Sequence, residues 1–96
     1  MNTLKQTIQK LQTLKESLSK KYHISYLAIF GSVSRNENTK NSDIDILVDF
    51  TQPVGLEFID LADELEKILD HKVDLVSRNG IKPEYYEQIK NDLQYV

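Results

Sequence analysis

FGSVSRNENTKNSDIDILVDF, residues 30–50, is the stretch on which the fold turns. It opens on the last residue of Ile24–Phe30 (ISYLAIF), a short apolar run rich in strand formers. Gly31 and Ser32 stop that run, and residues 32–35 can form one short helical turn. Residues 36–42 (NENTKNS) are polar and turn-rich, so an exposed loop is expected there. A second strand then runs over 43–50, and its alternation is informative. Ile44, Ile46, Val48 and Phe50 fall on one face, whereas Asp43, Asp45, Leu47 and Asp49 fall on the other. Carboxylates therefore stand at the mouth of a strand that otherwise reads as core.

On the N-terminal side, Leu4, Ile8, Leu11, Leu14, Leu18 and Tyr22 recur at steps of three and four, which predicts an amphipathic helix over roughly residues 2–21. On the C-terminal side, 51–55 (TQPVG) is a turn. Leu56, Ile59, Ala62, Leu65, Ile68 and Leu69 then mark a second helix over about 55–70. A third strand follows at 72–77 (KVDLVS), then a loop containing Gly80. Pro83 suits a helix's first turn, and Tyr86, Ile89 and Leu93 continue a final helical face. The order α-β-β-α-β-α, three strands with helices on one side, predicts a small α+β or α/β domain. The loop between the first two strands allows parallel or antiparallel pairing.

Composition bounds the function. A chain of 96 residues fits one domain. It has no cysteine, which excludes a disulfide framework and a thiolate metal site. Its apolar runs fall far short of the ~20 residues of a membrane span. The first residues (MNTLKQTIQK) lack the continuous apolar stretch of a secretory signal, so a cytoplasmic location is expected, with no membrane partner. A net charge of −3 argues against direct nucleic-acid binding. Lys5, Lys10, Lys15 and Lys20 turn about 140° per step on a helix, so they read as a solvated surface rather than a basic stripe.

The chemistry begins with Asp43 and Asp45. Residues two apart on a strand share a face about 6.6 Å apart, where two carboxylates repel by about 1–3 kcal/mol at an effective dielectric near 20. A shielded pair of this kind holds one proton, or a divalent cation between them. Hard oxygen ligands suit Mg2+, which takes one or two carboxylates plus substrate phosphates. Gly31 lets a backbone approach phosphate oxygens without a Cβ in the way, and Ser32 adds a hydroxyl donor. Asp74 points away from Val73 and Leu75 and can join the pair if the second and third strands are neighbours. Taken singly, each feature also has a plain structural reading: a wet strand face, a turn, a solvated acid.

Together they make a pattern: Gly-Ser, ten residues, Asp-x-Asp, and a third strand-borne acid 29 residues after Asp45. GSVSRNENTKNSDIDILV resembles the nucleotidyltransferase signature of the DNA polymerase beta superfamily. With the VDLV strand, the chain is similar to the minimal nucleotidyltransferase (MNT) domains from its first helix to its last residues. The resemblance implies one domain over 1–96 with a mixed three-stranded sheet flanked by helices. It implies that Gly31 and Ser32 hold a nucleoside triphosphate, ATP, and that Asp43 and Asp45 bind Mg2+. It also implies that Asp74 completes the metal site and helps to activate an acceptor hydroxyl. Arg35 matches an arginine common after the Gly-Ser and would pair with phosphate or brace the loop. The family often shows Ala-Arg-Gly where this chain has Ser34-Arg35-Asn36.

Larger relatives hold sugars or nucleic acids with added domains, and a 96-residue chain has no residues for one. MNT proteins of this size resemble the antitoxin partners of HEPN-domain ribonuclease toxins. The resemblance implies transfer of AMP from ATP to a tyrosine of the toxin, which silences it. The alternatives are an antitoxin that blocks its toxin by binding alone, and a small-molecule nucleotidyltransferase that needs a partner to complete its acceptor site. Among other residues, His23 and His71 read as structural, and Arg78 as a nucleotide contact or plain surface. Tyr86 is expected to pack, while Tyr85 or Tyr95 could belong to a partner interface. Glu57, Asp60, Asp63, Glu64 and Glu66 form an acidic outer face, solvated or facing a basic toxin.

Overall fold

The computed structural model describes residues 3–96. Helix α1 (Thr3–Tyr22) buries Leu11, Leu18 and Tyr22, with Leu4 and Ile8 packed at the margin. The expected start at residue 2 lies outside the described residues. Leu14 is exposed, because at ~100° per residue it falls at the edge of the stripe. Thr7 takes an inward place instead, its hydroxyl donating to the Thr3 carbonyl at 2.7 Å. His23 reverses the chain with φ 58°, a left-handed conformation that His adopts more readily than most residues. Its carbonyl accepts bonds from the Thr51 amide (2.8 Å) and hydroxyl (3.2 Å), which pins this turn to the far end of the next hairpin.

Strand β1 (Ile24–Phe30) leads into a single turn of helix, α2 (Gly31–Ser34), and β2 (Ile44–Phe50) returns antiparallel to it. Helix α3 (Glu57–Leu69) then crosses to β3 (Val73–Ser77), which lies parallel to β2. The last elements are α4 (Pro83–Ile89), a 3-10 turn (Lys90–Asp92) and β4 (Gln94–Tyr95). Pro83 sits in the first turn of α4, where a missing N–H costs nothing. The strand order is β3-β2-β1-β4, so the sheet is mixed. Among the described residues it has four strands where three were expected. The fourth pairs Tyr95 with Ala28 and Gln94 with Ile29, and Val96 adds an N–H bond to the Leu27 carbonyl at 3.0 Å. Two residues are too few to show alternation in the sequence. Among the described residues no helix is long and apolar enough to cross a membrane.

Both faces of the sheet are covered, which corrects the expectation of helices on one side. Ile24, Leu27, Ile29, Ile44, Ile46, Val48 and Val73 pack beneath α1 and α3. The opposite face holds a smaller core of Phe30, Leu47, Ile81 and Ile89, with Tyr26, Val76, Tyr86 and Leu93 around it. That second core explains why β1 reads as nearly continuous apolar residues: a strand covered on both sides cannot alternate. The acidic outer face of α3 also does structural work. Glu64 accepts from Lys21 Nζ (2.8 Å) and the Tyr22 hydroxyl (3.2 Å), joining α3 to α1. Glu66 accepts the Val73 amide at the start of β3 (2.9 Å), and Glu57 accepts the Gly55 amide (2.7 Å).

Candidate active site

Three strand ends meet at one place. β1 finishes at Phe30, whose cross-strand partner is Asp45, the second residue of β2. On its other side Asp45 lies in register with Asp74, the second residue of β3. Partners in register point to the same face, so both carboxylates stand on the α4 side of the sheet. Asp43, expected as the first strand residue, lies just before the strand begins at Ile44. It is held between two fixed points. The Ser42 amide donates to the Thr39 carbonyl (3.1 Å), and the Ile44 amide donates to the Lys72 carbonyl (3.0 Å). Asp43 and Asp74 are exposed and Asp45 is half-buried between them.

Gly31 closes the site from β1. Its φ is +76°, and a Cβ built there would meet Asp45 Oδ2 at 2.2 Å. Position 31 therefore needs glycine twice over, for backbone conformation and for the room the carboxylate occupies. Ser32 follows, half-buried, in a turn tightened by Arg35 N–H to Gly31 O (3.2 Å) and Glu37 N–H to Ser32 O (2.8 Å).

The electrostatics follow from this crowding. Burial pushes the Asp45 carboxyl up from 3.8 to about 6. The Asp74 and Asp43 charges and a hydrogen bond to Asp74 add to the rise, while Arg35 opposes it. Among the described residues no three Asp, Glu, His or Cys side chains are gathered into a ready-made metal cage. Mg2+ does not require one, because it is commonly held by one or two carboxylates together with substrate phosphates. The donor set fits that mode: hard oxygens, an excess of negative charge, and a glycine turn that leaves room beside Asp45.

Arg35 is engaged elsewhere. Its Nε donates to Glu37 Oε1 at 2.7 Å and its Nη1 to Asp92 Oδ2 at 2.6 Å. The Ser34 hydroxyl donates to the Asp92 carbonyl. The turn after Gly31 is thus latched to the 3-10 turn near the C-terminus, so bracing, one of the two expected roles of Arg35, is visible in the structure. Asp92 was missed by sequence reasoning because nothing local marks a partner so distant in the chain. Arg78 is not near the acids. It follows Ser77 at the opposite end of β3, about 13 Å along the strand from Asp74 at ~3.3 Å per residue, and stacks on the Tyr86 ring at 3.9 Å. Tyr85, expected as an interface residue, packs edge-on against Phe30 beside the acids. A shallow depression on the outer face of α1, lined by Thr13, Glu16, Ser17 and Lys20, shares no residue with this site.

Residues 11–96 match the family described as nucleotidyltransferase domain. A Methanocaldococcus jannaschii protein provisionally named protein adenylyltransferase MJ0126 is 42% identical, the match covering 100% of both chains. Protein adenylyltransferase MntA of Thermococcus cleftensis is 35% identical over 100% of this chain and 98% of its own. A solved structure described as a minimal nucleotidyltransferase superposes with a TM-score of 0.79 at 30% identity, covering 98% of this chain and 95% of that one. An MNT antitoxin in complex with a tri-AMPylated HEPN toxin of Shewanella oneidensis gives 0.59 at 25% identity, covering 88% and 70%. With its strand-end acids, its glycine turn and a family match over nearly its whole length, this chain belongs to the nucleotidyltransferase domain family and is a nucleotidyltransferase.

Proposed function

We propose that this nucleotidyltransferase is a cytoplasmic antitoxin that uses Mg2+ and ATP to transfer AMP to a tyrosine hydroxyl of a HEPN ribonuclease toxin. The observation that carries the reading is the in-register pairing of Asp45 with Asp74 beside Gly31. The names of the relatives, protein adenylyltransferases and an MNT antitoxin bound to an AMPylated HEPN toxin, supply the substrate class.

In this reading the chain's residues divide the work. The Gly31 turn admits the triphosphate close to the backbone, and the Ser32 hydroxyl donates to a phosphate oxygen. Asp43 and Asp45 offer the oxygens that would hold Mg2+, with Asp74 completing the set. The bound ion would neutralise phosphate charge and lower the barrier to displacement. In this reading the exposed Asp74 carboxylate takes the proton from the incoming hydroxyl. The acceptor oxygen bonds to the α-phosphorus as the bond to pyrophosphate breaks. Arg35 braces the turn and adds positive charge near Asp45.

The test is to incubate the purified chain with ATP, Mg2+ and the protein encoded beside it, then weigh the partner. A gain of AMP mass on a tyrosine is expected, and an unchanged mass with both proteins folded counts against the proposal. The alternative is neutralisation by binding alone. Asp43→Asn with Asp45→Asn separates the two. A double variant that still silences the toxin at equal abundance supports binding and sinks the enzymatic antitoxin.

A further inference from the structure

Tyr85 stands beside the acids and has no part in the chemistry above. Its position follows from how α4 is anchored. Ile81 and Ile89 are buried against Phe30 and Leu47, and Tyr86 lies half-buried beneath the Arg78 guanidinium. Tyr85 is ~100° around the helix from Tyr86. Its ring meets Phe30 edge-to-face, with centroids 6.3 Å apart and an interplanar angle of 81°. Phe30 is the register partner of Asp45 and the residue before Gly31. The phenol is therefore held at the mouth of the acid cluster from the α4 side. Burial raises its pKa first, and then the Asp45 and Asp74 charges, so the fields of both carboxylates reach it. The residue is 39% exposed, and among the described residues its hydroxyl makes no hydrogen bond.

We infer that the chain adenylylates its own Tyr85 when no protein acceptor occupies the site. This rests on the function proposed above, in which a tyrosine hydroxyl is the acceptor. Tyr85 offers the same functional group, neutral at physiological pH as a partner's tyrosine would be, and it is tethered to the enzyme. A tethered group reacts at an effective concentration that a dilute partner cannot match until it docks. The step balances without an added reagent. Tyr85 Oη bonds to the α-phosphorus, the bond from that phosphorus to pyrophosphate breaks, and the phenolic proton passes to the Asp74 carboxylate or to solvent. The resulting adenylyl group would sit at the mouth of the site and limit further turnover, so an antitoxin without its toxin would switch itself off.

The experiment uses the full chain with Mg2+ and ATP labelled at either the α- or the γ-phosphate, alone and with the protein encoded beside it. Intact masses and tandem peptide mapping read out both proteins. The same mapping is applied to the chain purified from cells with and without the partner, which requires no in vitro turnover. We expect one AMP on the peptide carrying Tyr85, from α-label and not γ-label, reduced when the partner is present and lost in Tyr85→Phe. A labelled partner beside an unlabelled chain overturns this inference and leaves the proposed function standing. No label on either protein overturns both. Label on Tyr86, Tyr95 or a non-tyrosine residue also overturns the inference, and mapping the wild-type chain decides this even if the variant folds poorly.

Discussion

Replacing Asp45 with asparagine is expected to stabilise the protein while abolishing its chemistry. The Asp45 carboxyl is lifted from 3.8 to about 6, by burial first and then by Asp74 and Asp43. At 1.36 kcal/mol per pKa unit, that shift sets an upper bound of ~3 kcal/mol, which solvent screening of a half-exposed carboxyl reduces. The folded pKa lies above the unfolded one, so folding takes up a proton between those two values. Well below pH ~4 the carboxyl is protonated in both states and costs nothing; the cost grows as pH rises and is complete once pH is above about 6. Asparagine keeps the shape and cannot ionise. In urea denaturation without divalent cations, Asp45→Asn should approach wild type near pH 3 and exceed it by at most ~3 kcal/mol at about pH 8. Against a total stability of about 5–15 kcal/mol this is easily read. Adding Mg2+ should narrow the gap by stabilising wild type alone. A difference independent of pH, or a variant less stable than wild type at the higher pH with an unchanged m-value, would refute the reasoning.

Three further outcomes are expected. Gly31→Ala combines a left-handed backbone cost of about 1–2 kcal/mol with displacement of the Asp45 carboxylate, so it should lose ~2–4 kcal/mol in denaturant and most transferase activity; wild-type stability would show that the turn relaxes freely. Arg35→Ala breaks the ion pairs of a half-exposed guanidinium to Asp92 and Glu37, so its stability should fall only slightly. A much larger fall in kcat/KM than in stability would assign Arg35 to phosphate, and equal small losses would leave it a brace. Leu47→Ala removes a fully buried side chain between the sheet and α4 and should cost about 2–5 kcal/mol by urea titration; a loss under about 1 kcal/mol would contradict the second core.

Much of this molecule was legible in its sequence, for reasons of backbone geometry. A period of two over residues 43–50 placed Asp43 and Asp45 opposite Ile44 and Ile46, and the structure keeps that division. The three- and four-residue steps from Leu4 to Tyr22 likewise marked the inward face of α1, with Leu14 at its exposed edge. Gly31 was singled out because glycine lets a backbone approach phosphate oxygens, and its φ of +76° and the Asp45 carboxylate against it are further reasons that the structure supplies. These features are local. Side-chain direction along a helix or strand follows from the backbone repeat and is written within a few residues.

Tertiary structure decided the rest, because it depends on which faces and edges meet. β2 lies parallel to β3 with Asp45 beside Asp74, and no pattern in either strand specified that register. The two-residue β4 exists only through its pairing with β1. Arg35 found Asp92 across the fold, and Arg78 went to the far end of β3 to stack on Tyr86. Tyr85 reached the acids because Ile81 and Ile89 anchor α4 over Phe30 and Leu47, a contact between segments far apart in the chain. The sequence by itself determined which side chains could do the chemistry, through backbone periodicity. Only long-range packing determined which of them stand together.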